Sequence, residues 1–395
     1  MTYHAIINYF LPPRIEFGVG AIGNLGNHVK SFGKKKPFIA TDAGVVRAGI
    51  LSNAVKSLAS KQIHHVVFDE IEPNPTDRMA LKGLEVYRAE ACDLVIAIGG
   101  GSVMDAAKAI RLLATHEPPL ERYFLDGGGI ENITGNLPPL ISVPTTAGTG
   151  SEVSQAAIIT DTTHQTTDRW RKRAIVSPHM MSSLALLDAE LTLGMPPALT
   201  AATGMDAVTH GVEAYVATRY HPISEGIALQ TLRMLGRNIC RVYHHGNDIE
   251  ARGEMLLAAS MAAVSFQKGL GAVHSLAHQL SSEEANIPHG IANAILLPHV
   301  MAFNLTYAVD RYAEVAAALG VSAPSNSKEE MARAAIEKIH LLNRELGMPT
   351  GLGEAGLKKE HIPRLAKDAM LDHCYKVNPR PCNETDMKRL FEAAF

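Results

Sequence analysis

The stretch from Asp93 to Ala114, DLVIAIGGGSVMDAAKAIRLLA, carries the strongest structural signal in the chain. An all-apolar run, LVIAI, is followed by three glycines and a serine, and then by a segment with helical periodicity. A strand, a glycine turn and a helix N-terminus in this order present backbone N–H groups to an anion such as a pyrophosphate. We therefore predict that Gly99, Gly100, Gly101 and Ser102 hold the phosphates of a nucleotide cofactor.

Short apolar runs alternate with longer helical segments on both sides of this stretch. PFIAT precedes Asp42, HHVVF precedes Asp69, and PLISVPTT occupies positions 139–146. Helix-period apolar residues fill Val45–Ser60 and Asp77–Ala91. This alternation predicts βαβ units and a parallel sheet.

The composition and the hydrophobic periodicity of the chain change after about residue 190. From there it is rich in Ala, Leu and Met with helical periodicity, and no convincing strand pattern appears. We place the boundary at 188/189, which predicts an α/β domain over 1–188 and an all-α domain over 189–395.

A second glycine cluster, GVGAIG from Gly18 to Gly23, matches the GxGxxG pattern of dinucleotide-binding turns. The residues after it, GNLGNHVKSFG, are a poor opening for a helix, so we interpret the cluster as a tight turn after a first strand, RIEFG. Asp42 ends a strand and can accept hydrogen bonds from a ribose, while its charge would repel a 2′-phosphate. This favours NAD over NADP.

Two further groups in this half of the chain are candidates for cofactor contact. Asp105 lies in the first turn of the predicted helix, where it either caps the helix or contacts the cofactor. The loop PTTAGTGSE at 144–152 follows another strand and supplies hydroxyl and N–H groups. It is either part of the cofactor crevice or a Ser/Thr-rich turn.

Four residues in the second half form a candidate metal site. Asp206 and His210 are four residues apart without an intervening proline, so on a helix both project from one face. His274 and His278 repeat that spacing, and His289 follows Pro288 shortly afterwards. We predict Asp206, His210, His274 and His289 as ligands of Fe(II) or Zn(II), because three imidazoles and a carboxylate suit these ions better than magnesium or calcium.

Composition excludes several classes of protein. The chain has 395 residues, 46% hydrophobic and 19% charged, as in ordinary globular proteins, and its net charge of −3 without a long basic block argues against a nucleic-acid partner. No signal peptide and no apolar run of about 18 residues is apparent, so we expect no membrane partner. Four cysteines without CxxC spacing are expected to be reduced thiols, which suggests a cytoplasmic protein.

The motifs together resemble the iron-containing (group III) alcohol dehydrogenases. The matching runs lie in the family order and cover nearly the whole chain: EPNPT at 72–76, GGGSxxD at 99–105, PTTAGTGSE at 144–152, LTAATGMDAxTH at 199–210, GLGAVHSLAHQL from 269 and PHGIANAILLPHV from 288. The resemblance implies a Rossmann-like NAD-binding domain and an all-helical metal-binding domain, as in the dehydroquinate synthase-like fold. It also implies an active site in the cleft between them and a homodimer or larger homo-oligomer.

The resemblance also implies roles for individual residues. It assigns the metal to Asp206, His210, His274 and His289, and a proton relay near the substrate to His278. On the cofactor side, it implies that the adenosine lies near Asn74 and that the pyrophosphate lies on the glycine turn, Gly99–Ser102. It also implies that four side chains approach the nicotinamide half: Thr145, Thr146, Thr149 and Lys172. Cys374 would lie near the cleft without binding metal.

Two segments are longer than is usual in that family. They are THQTTDRWRKRA at 163–174, which contains Lys172, and QLSSEEANIP at 279–288, which leads to His289 and contains Glu283 and Glu284.

The expected function is hydride transfer between a metal-bound primary alcohol and NAD, that is, an alcohol dehydrogenase or aldehyde reductase. A dehydroquinate-synthase-like or glycerol-dehydrogenase-like NAD and metal enzyme is the alternative, although the metal-bearing runs lack the basic residues that a phosphate-bearing substrate requires. A non-enzymatic metal-binding protein is the third hypothesis, and it predicts no nicotinamide binding.

Overall fold

The computed structural model of the chain describes residues 8–163, 171–281, 287–322 and 327–395. These residues form two units. The sheet unit runs from Pro12 to Gly194, and the helical unit comprises the described residues before Pro12 together with Met195–Phe395. Parts of the two long segments lie outside the described residues: positions 164–170 of the first, and positions 282–286 of the second, which include Glu283 and Glu284.

The sheet unit extends to Gly194, six residues beyond the predicted boundary at 188/189, and the described residues before Pro12 belong to the helical unit. Asp188 stays with the sheet because its carboxylate accepts hydrogen bonds from the N–H groups of Gly20 and Ile22, at 3.1 and 3.0 Å. Phe10 joins the helical unit because its backbone N–H and carbonyl both pair with the side chain of Gln267. These long-range contacts cannot be deduced from composition.

The sheet unit is built on a six-stranded sheet, whose strands are β1 (Arg14–Phe17), β2 (Pro37–Ala40), β3 (Val66–Phe68), β4 (Leu94–Gly99), β5 (Leu140–Pro144) and β8 (Leu184–Leu187). The strands lie in the order β1-β8-β5-β4-β2-β3, and all the strand pairs are parallel. The helices of this unit are α1 (Leu25–Ser31), α2 (Ala43–Arg47), α3 (Leu51–Ser60), α4 (Asp77–Ala89) and α5 (Gly101–Leu113).

The strand at the centre of the prediction, β4, is buried at all six positions. It pairs with β5 in a register that sets Gly99 opposite Pro144. We call Gly99–Ser102 the glycine turn and residues 144–152 the hydroxyl loop. Since the strands are parallel, the glycine turn after β4 and the hydroxyl loop after β5 emerge at the same edge of the sheet. The hydroxyl of Thr76 caps α4, as its position before the helical pattern suggests.

An antiparallel hairpin in the sheet unit was not predicted. It consists of β6 (Ala156–Asp161) and β7 (Arg171–Val176), which pair from Ala156 opposite Val176 to Asp161 opposite Arg171. The basic composition of RKRAIV masks the strand pattern, because the charged side chains occupy the partly exposed positions of β7.

The helical unit contains nine α-helices in its described residues and no strand among them. They are α6 (Pro197–Val216), α7 (Pro222–His244), α8 (Ile249–Ser265), α9 (Ala272–Leu280), α10 (His289–Asn304), α11 (Val309–Ala318), α12 (Lys328–Glu345), α13 (Ile362–Ala369) and α14 (Glu384–Ala393). A parallel sheet followed by an all-helical unit confirms the predicted fold class.

Within the described ranges, no single helix has the length and apolar composition to cross a membrane. One bent pair, Ile249–Lys268 with Ala272–Leu280, passes that test only when its two parts are taken together across a bend of 112°.

Candidate active site

The candidate metal ligands come from three helices of the helical unit. Asp206 and His210 lie on α6, His274 lies on α9, and His289 is the first residue of α10. The Nε2 atoms of His210, His274 and His289 lie 3.8, 4.0 and 3.5 Å from Oδ1 of Asp206. The structure therefore brings all four residues together.

This spacing fits a single metal ion. Donors bound at about 2.1 Å from one ion lie roughly 3 to 4 Å apart, which matches the three distances to Asp206. The donor atoms of Asp206, His210 and His274 all lie within 4.8 Å of one another, and the three residues are buried. His289 is partly exposed, so the open side of the cluster is the side of His289.

Burial keeps two of the imidazoles neutral. It lowers the pKa of His210 to about 4, although Asp206 opposes the shift, and it lowers the pKa of His274 to about 3. A neutral imidazole offers a lone pair to a metal, whereas a protonated one does not. The two buried histidines are therefore neutral at physiological pH, which is the state that can bind a metal.

A carboxylate missed in the sequence supports His274. Oε2 of Glu213, on α6, lies 2.5 Å from Nδ1 of His274, and Oε1 accepts the N–H of Val273 at 2.8 Å. A carboxylate that accepts from Nδ1–H leaves Nε2 free to face the metal position. Burial raises the pKa of Glu213 to about 7, and the N–H of Val273 opposes that shift.

The first turn of α10 is packed against α6 through a glycine. A Cβ atom added at Gly290 would lie 2.1 Å from the carbonyl oxygen of Ala202, so only glycine permits this approach. Because His289 precedes Gly290 and Asp206 lies one turn after Ala202, the contact helps to fix the distance between these two candidate ligands.

His278 lies next to the cluster but outside it. Its ring stacks on that of His289, with centroids 5.3 Å apart and planes at 12°. Nδ1 of His278 lies 2.8 Å from Oδ2 of Asp372. Oδ1 of the same carboxylate accepts from the Ser275 hydroxyl at 3.0 Å and from the Cys374 N–H at 2.7 Å.

This pairing determines which atom of His278 can exchange a proton. Burial alone would raise the pKa of Asp372, but the charge of His278 and the hydrogen bonds of His278 and Cys374 hold it well below its ordinary value. The carboxylate is therefore an acceptor for Nδ1–H, and Nε2 is the exchangeable position.

Cys374 completes a second group of possible donors with His278 and Asp372. Burial, with the Asp372 carboxylate beside it, holds the pKa of the Cys374 thiol well above its ordinary value. A neutral thiol is a weak metal ligand.

In the sheet unit, the two predicted cofactor loops lie against each other. The N–H of Thr145 donates to the carbonyl of Gly99 at 3.0 Å. A Cβ at Gly101 would lie 2.7 Å from Cγ2 of Thr149, and one at Gly100 would lie 3.4 Å from Oγ1 of Thr146. The glycines thus allow close contact between the start of α5, which includes Ser102, and the hydroxyl loop.

Asp105 serves the protein's own backbone. Its carboxylate accepts from the Ser151 hydroxyl at 2.7 Å and from the Ile158 N–H at 3.1 Å. Burial raises its pKa, while Lys108, these two hydrogen bonds and Lys172 oppose the shift. These bonds tie α5 to the 151–158 segment.

Lys108, one turn further along α5, was not singled out in the sequence. Its fully buried Nζ donates to the carbonyls of Ser151, Ser154 and Ala156 at 2.7 to 2.8 Å. Burial lowers the pKa of Lys108 to about 8, and Asp105 opposes the shift. The pair Asp105 and Lys108 fixes the end of the hydroxyl loop.

Three other predicted cofactor contacts occupy the same unit. Asp42 follows β2 and caps α2, with Oδ1 accepting the Val45 N–H at 2.9 Å. Asn74 lies between β3 and α4 with a positive φ of 56°. Lys172 lies on β7 opposite Thr160.

The GxGxxG match is a turn rather than a phosphate cradle. Gly20 has a φ of 78°, which glycine adopts without strain. The N–H groups of Gly20 and Ile22, which would face a phosphate, donate to the carboxylate of Asp188 instead. The interpretation as a tight turn after the first strand agrees with these contacts.

Comparison with known proteins connects this geometry to a family. The chain is 38% identical to the 1,3-propanediol dehydrogenase of Citrobacter freundii over the full length of both chains. It is 35% identical to the NAD-dependent methanol dehydrogenase of Bacillus methanolicus, with 98% of this chain and 99% of that protein covered. A crystal structure of a 1,3-propanediol oxidoreductase superimposes with a TM-score of 0.94 at 37% identity, covering 99% of this chain and 100% of that one.

Two family profiles divide the chain between them. The profile described as iron-containing alcohol dehydrogenase matches residues 12–189, and the profile described as Fe-containing alcohol dehydrogenase family, C-terminal, matches residues 200–395. As its motifs predicted, the chain belongs to the iron-containing alcohol dehydrogenase family.

Proposed function

We propose that this protein is an NAD(H)-linked alcohol dehydrogenase that interconverts a primary alcohol and its aldehyde. The observation that carries the proposal is the buried cluster of one carboxylate oxygen and three imidazole nitrogens, with distances of 3.5 to 4.0 Å from Asp206. Oxidation of the alcohol releases a hydride to NAD⁺ and a proton to the protein or solvent.

Asp206, His210, His274 and His289 would hold Fe(II) or Zn(II), with Glu213 supporting His274 from behind. When bound there, the metal supplies a Lewis acid that lowers the pKa of an alcohol hydroxyl. The partly exposed side of the cluster, near His289, is where a small alcohol or aldehyde would enter.

His278 is the proposed proton carrier. Its Nδ1–H is held by Asp372, so a proton from the substrate hydroxyl would be taken up and returned at Nε2. The His278 side chain is 22% exposed, which leaves it a path to solvent. Asp372 does not touch the substrate in this scheme and acts by orienting the ring.

The cofactor is proposed to lie on the sheet unit. Gly99, Gly100, Gly101 and Ser102 open α5 and would bind the pyrophosphate through their N–H groups. The nicotinamide half would be approached by Thr145, Thr146, Thr149 and Lys172, and the adenosine half by Asp42 and Asn74. Asp105 is now proposed to act indirectly, by fixing the hydroxyl loop.

We further propose that the protein acts in the cytoplasm as a homodimer or larger homo-oligomer. Its four cysteines are all free thiols, which is usual for a reducing compartment. Size-exclusion chromatography with light scattering would measure the assembly directly.

The test of the activity uses the metal itself. The purified protein is stripped with a chelator and reloaded with Fe(II) under anaerobic conditions or with Zn(II), and NADH absorbance is followed with a panel of alcohols and aldehydes. We expect turnover only in the reloaded protein. The His274→Ala variant should lose both metal and activity. Absence of a metal-dependent NADH signal with every substrate would contradict the proposal.

A further inference from the structure

A fifth side chain reaches the candidate metal cluster. Asn293 lies on α10, one turn after His289, and is fully buried. Its Nδ2 donates to Oδ1 of Asp206 at 2.7 Å, and it also lies 3.1 Å from Nε2 of His289 and 3.4 Å from Nε2 of His274. The amide thus contacts three of the four candidate donor atoms.

The orientation of this amide follows from its partner. An ionised carboxylate can only accept hydrogen bonds, so the atom of Asn293 that faces Asp206 is the nitrogen. Oδ1 of Asn293 is left buried without a hydrogen-bond partner among the described residues. A buried acceptor without a partner is unfavourable, and such groups are rare in folded proteins. The amide is therefore placed to serve Asp206 rather than to satisfy its own hydrogen bonds.

Asp206 depends on this contact. In the described parts of the chain, Asn293 is the only residue that donates a hydrogen bond to the Asp206 carboxylate. Without it, no hydrogen bond from the described residues would fix the torsion that turns Oδ1 toward His210, His274 and His289. A carboxylate free to rotate would have to be ordered when a metal binds, which would weaken the binding.

We propose that Asn293 is a positioning residue of the metal site: it holds Oδ1 of Asp206 toward the three imidazoles and so sets how tightly the site retains a divalent metal. The inference rests on the proposed function of this cluster as a metal site. Residues that orient metal ligands typically change metal affinity by about 10- to 100-fold when replaced.

The test compares Asn293→Leu with the wild-type protein. Leucine has a similar shape and no hydrogen-bonding atoms. Both proteins are loaded with Zn(II), and release to a coloured chelator is timed. We expect the variant to release Zn(II) about 10- to 100-fold faster. In a parallel sample loaded with Co(II), the visible absorption bands, which report coordination geometry, should shift in the variant.

Asn238→Leu is the matched control. Asn238 is another buried asparagine of the helical unit, and its Nδ2 bonds to the carbonyl of Met234 and to Glu254, neither of which belongs to the cluster. Its replacement should lower the unfolding midpoint of the metal-free protein without changing Zn(II) release. If Asn293 had only a structural role, Asn293→Leu would likewise lower the unfolding midpoint without changing Zn(II) release.

Each outcome separates the hypotheses. Wild-type protein that binds neither Zn(II) nor Co(II) would contradict the metal site and the proposed function. Normal binding by the wild type, with Zn(II) release from Asn293→Leu within threefold of it and unchanged Co(II) bands, would overturn only the role of Asn293. Should Asn293→Leu fail to fold, Asn293→Ala is measured in the same way. If neither variant folds, the residue is structural and the proposal is wrong.

Discussion

Nδ1 of His274 lies 2.5 Å from Oε2 of Glu213, so a carboxylate on α6 fixes the ring of a candidate metal ligand on α9. Glu213 is one turn beyond His210 on the same helix. A Cβ at Gly271 would lie 2.6 Å from Oε1 of Glu213, so the glycine before α9 makes room for this carboxylate. One helix therefore supplies two candidate ligands and the support of a third.

Glu213→Gln tests this support. Glutamine keeps the size of the side chain but removes the charge that strengthens the bond to Nδ1–H, so metal affinity should fall by about 10- to 100-fold. Zn(II) affinity is measured by competition with a chelator. Glu254→Gln, at a residue that bonds to Asn238 and Arg237, serves as control and should bind Zn(II) as the wild type does. Equal affinity of Glu213→Gln and wild type would refute the role.

Gly290→Ala should loosen the site by moving α10. The added Cβ would lie 2.1 Å from the carbonyl of Ala202, and a backbone atom cannot yield as a flexible side chain can. We expect a loss of roughly 1 to 3 kcal/mol in the free energy of unfolding and a marked loss of bound metal. Urea unfolding and elemental analysis measure the two effects.

The matched control for that substitution is Gly226→Ala. Gly226 lies inside α7, and no atom is found within 4 Å of a Cβ placed there. Alanine should be neutral or raise the free energy of unfolding by up to about 1 kcal/mol. If Gly290→Ala behaves like Gly226→Ala and keeps its metal, the close contact is not a determinant of the site.

Acid should destabilise the metal-free protein over a defined range of pH. The pKa values of His210 and His274 lie at about 4 and about 3, whereas an unfolded histidine titrates near 6.5. As the pH falls from about 6.5 to about 4, the unfolded chain binds protons that the folded chain does not, so stability falls with pH. The slope is at most roughly 1.4 kcal/mol per pH unit for each histidine.

Urea midpoints of the stripped protein between pH 7.5 and 4.5 measure this slope. His210→Asn should show a shallower dependence, since one of the two buried imidazoles is gone. His244→Asn, at a residue whose side chain is 52% exposed, should keep the wild-type slope. Identical slopes for wild type and His210→Asn would argue against the depressed pKa of His210.

Asp372→Asn should slow turnover without removing metal. Asparagine can still accept Nδ1–H of His278, but without the negative charge that favours that orientation. General acid–base catalysis contributes about 10²- to 10⁴-fold, so we expect a decrease of about tenfold in kcat for Asp372→Asn and a larger one for His278→Ala. Asp368→Asn, at a residue paired with Arg364, is the control. Loss of Zn(II) from Asp372→Asn would indicate a role in the metal site instead.

Lys108→Met should damage the cofactor loops. Methionine cannot donate to the carbonyls of Ser151, Ser154 and Ala156, and it removes a positive charge that acts on the buried Asp105 carboxylate. A buried polar group left without its hydrogen-bond partner costs about 1 to 3 kcal/mol, and we expect the free energy of unfolding to fall and the Kd for NADH to rise about tenfold or more. NADH fluorescence titration and urea unfolding measure these effects.

Lys82→Met provides the comparison for that variant. The Lys82 side chain is 57% exposed and pairs with the exposed Glu70, so its loss should change the free energy of unfolding by less than about 0.5 kcal/mol. A wild-type Kd for NADH in Lys108→Met would contradict the role of Lys108.

The fold was predictable where a local pattern and a long-range contact agree. The apolar run of β4 and the glycines after it identify a buried parallel strand and a helix N-terminus, and both are present. The hairpin of β6 and β7 was missed because partly exposed strands with basic residues lack an apolar run. The contacts of Asp188 with Gly20 and Ile22, more than 160 positions earlier, belong to the part of the fold that no local pattern shows.

The residues of the candidate site were likewise predictable only in part. Spacing found Asp206 with His210 and His274 with His278, because residues four apart share a helix face. Glu213 follows His210, and Asn293 follows His289, at helical spacing. The rule that residues three or four apart share a helix face could therefore have identified Glu213 and Asn293 as candidates too. Their partners lie on other helices, however, and only the three-dimensional packing shows which of many polar residues at such spacing point into the cluster.

The contact between Gly290 and Ala202 has a consequence for how such an enzyme can diversify. His289 is located by main-chain packing of α10 on α6, through a contact between Gly290 and Ala202 that lies outside the segment leading to it. We therefore expect that changes of sequence in that segment would leave the spacing of the candidate metal ligands intact.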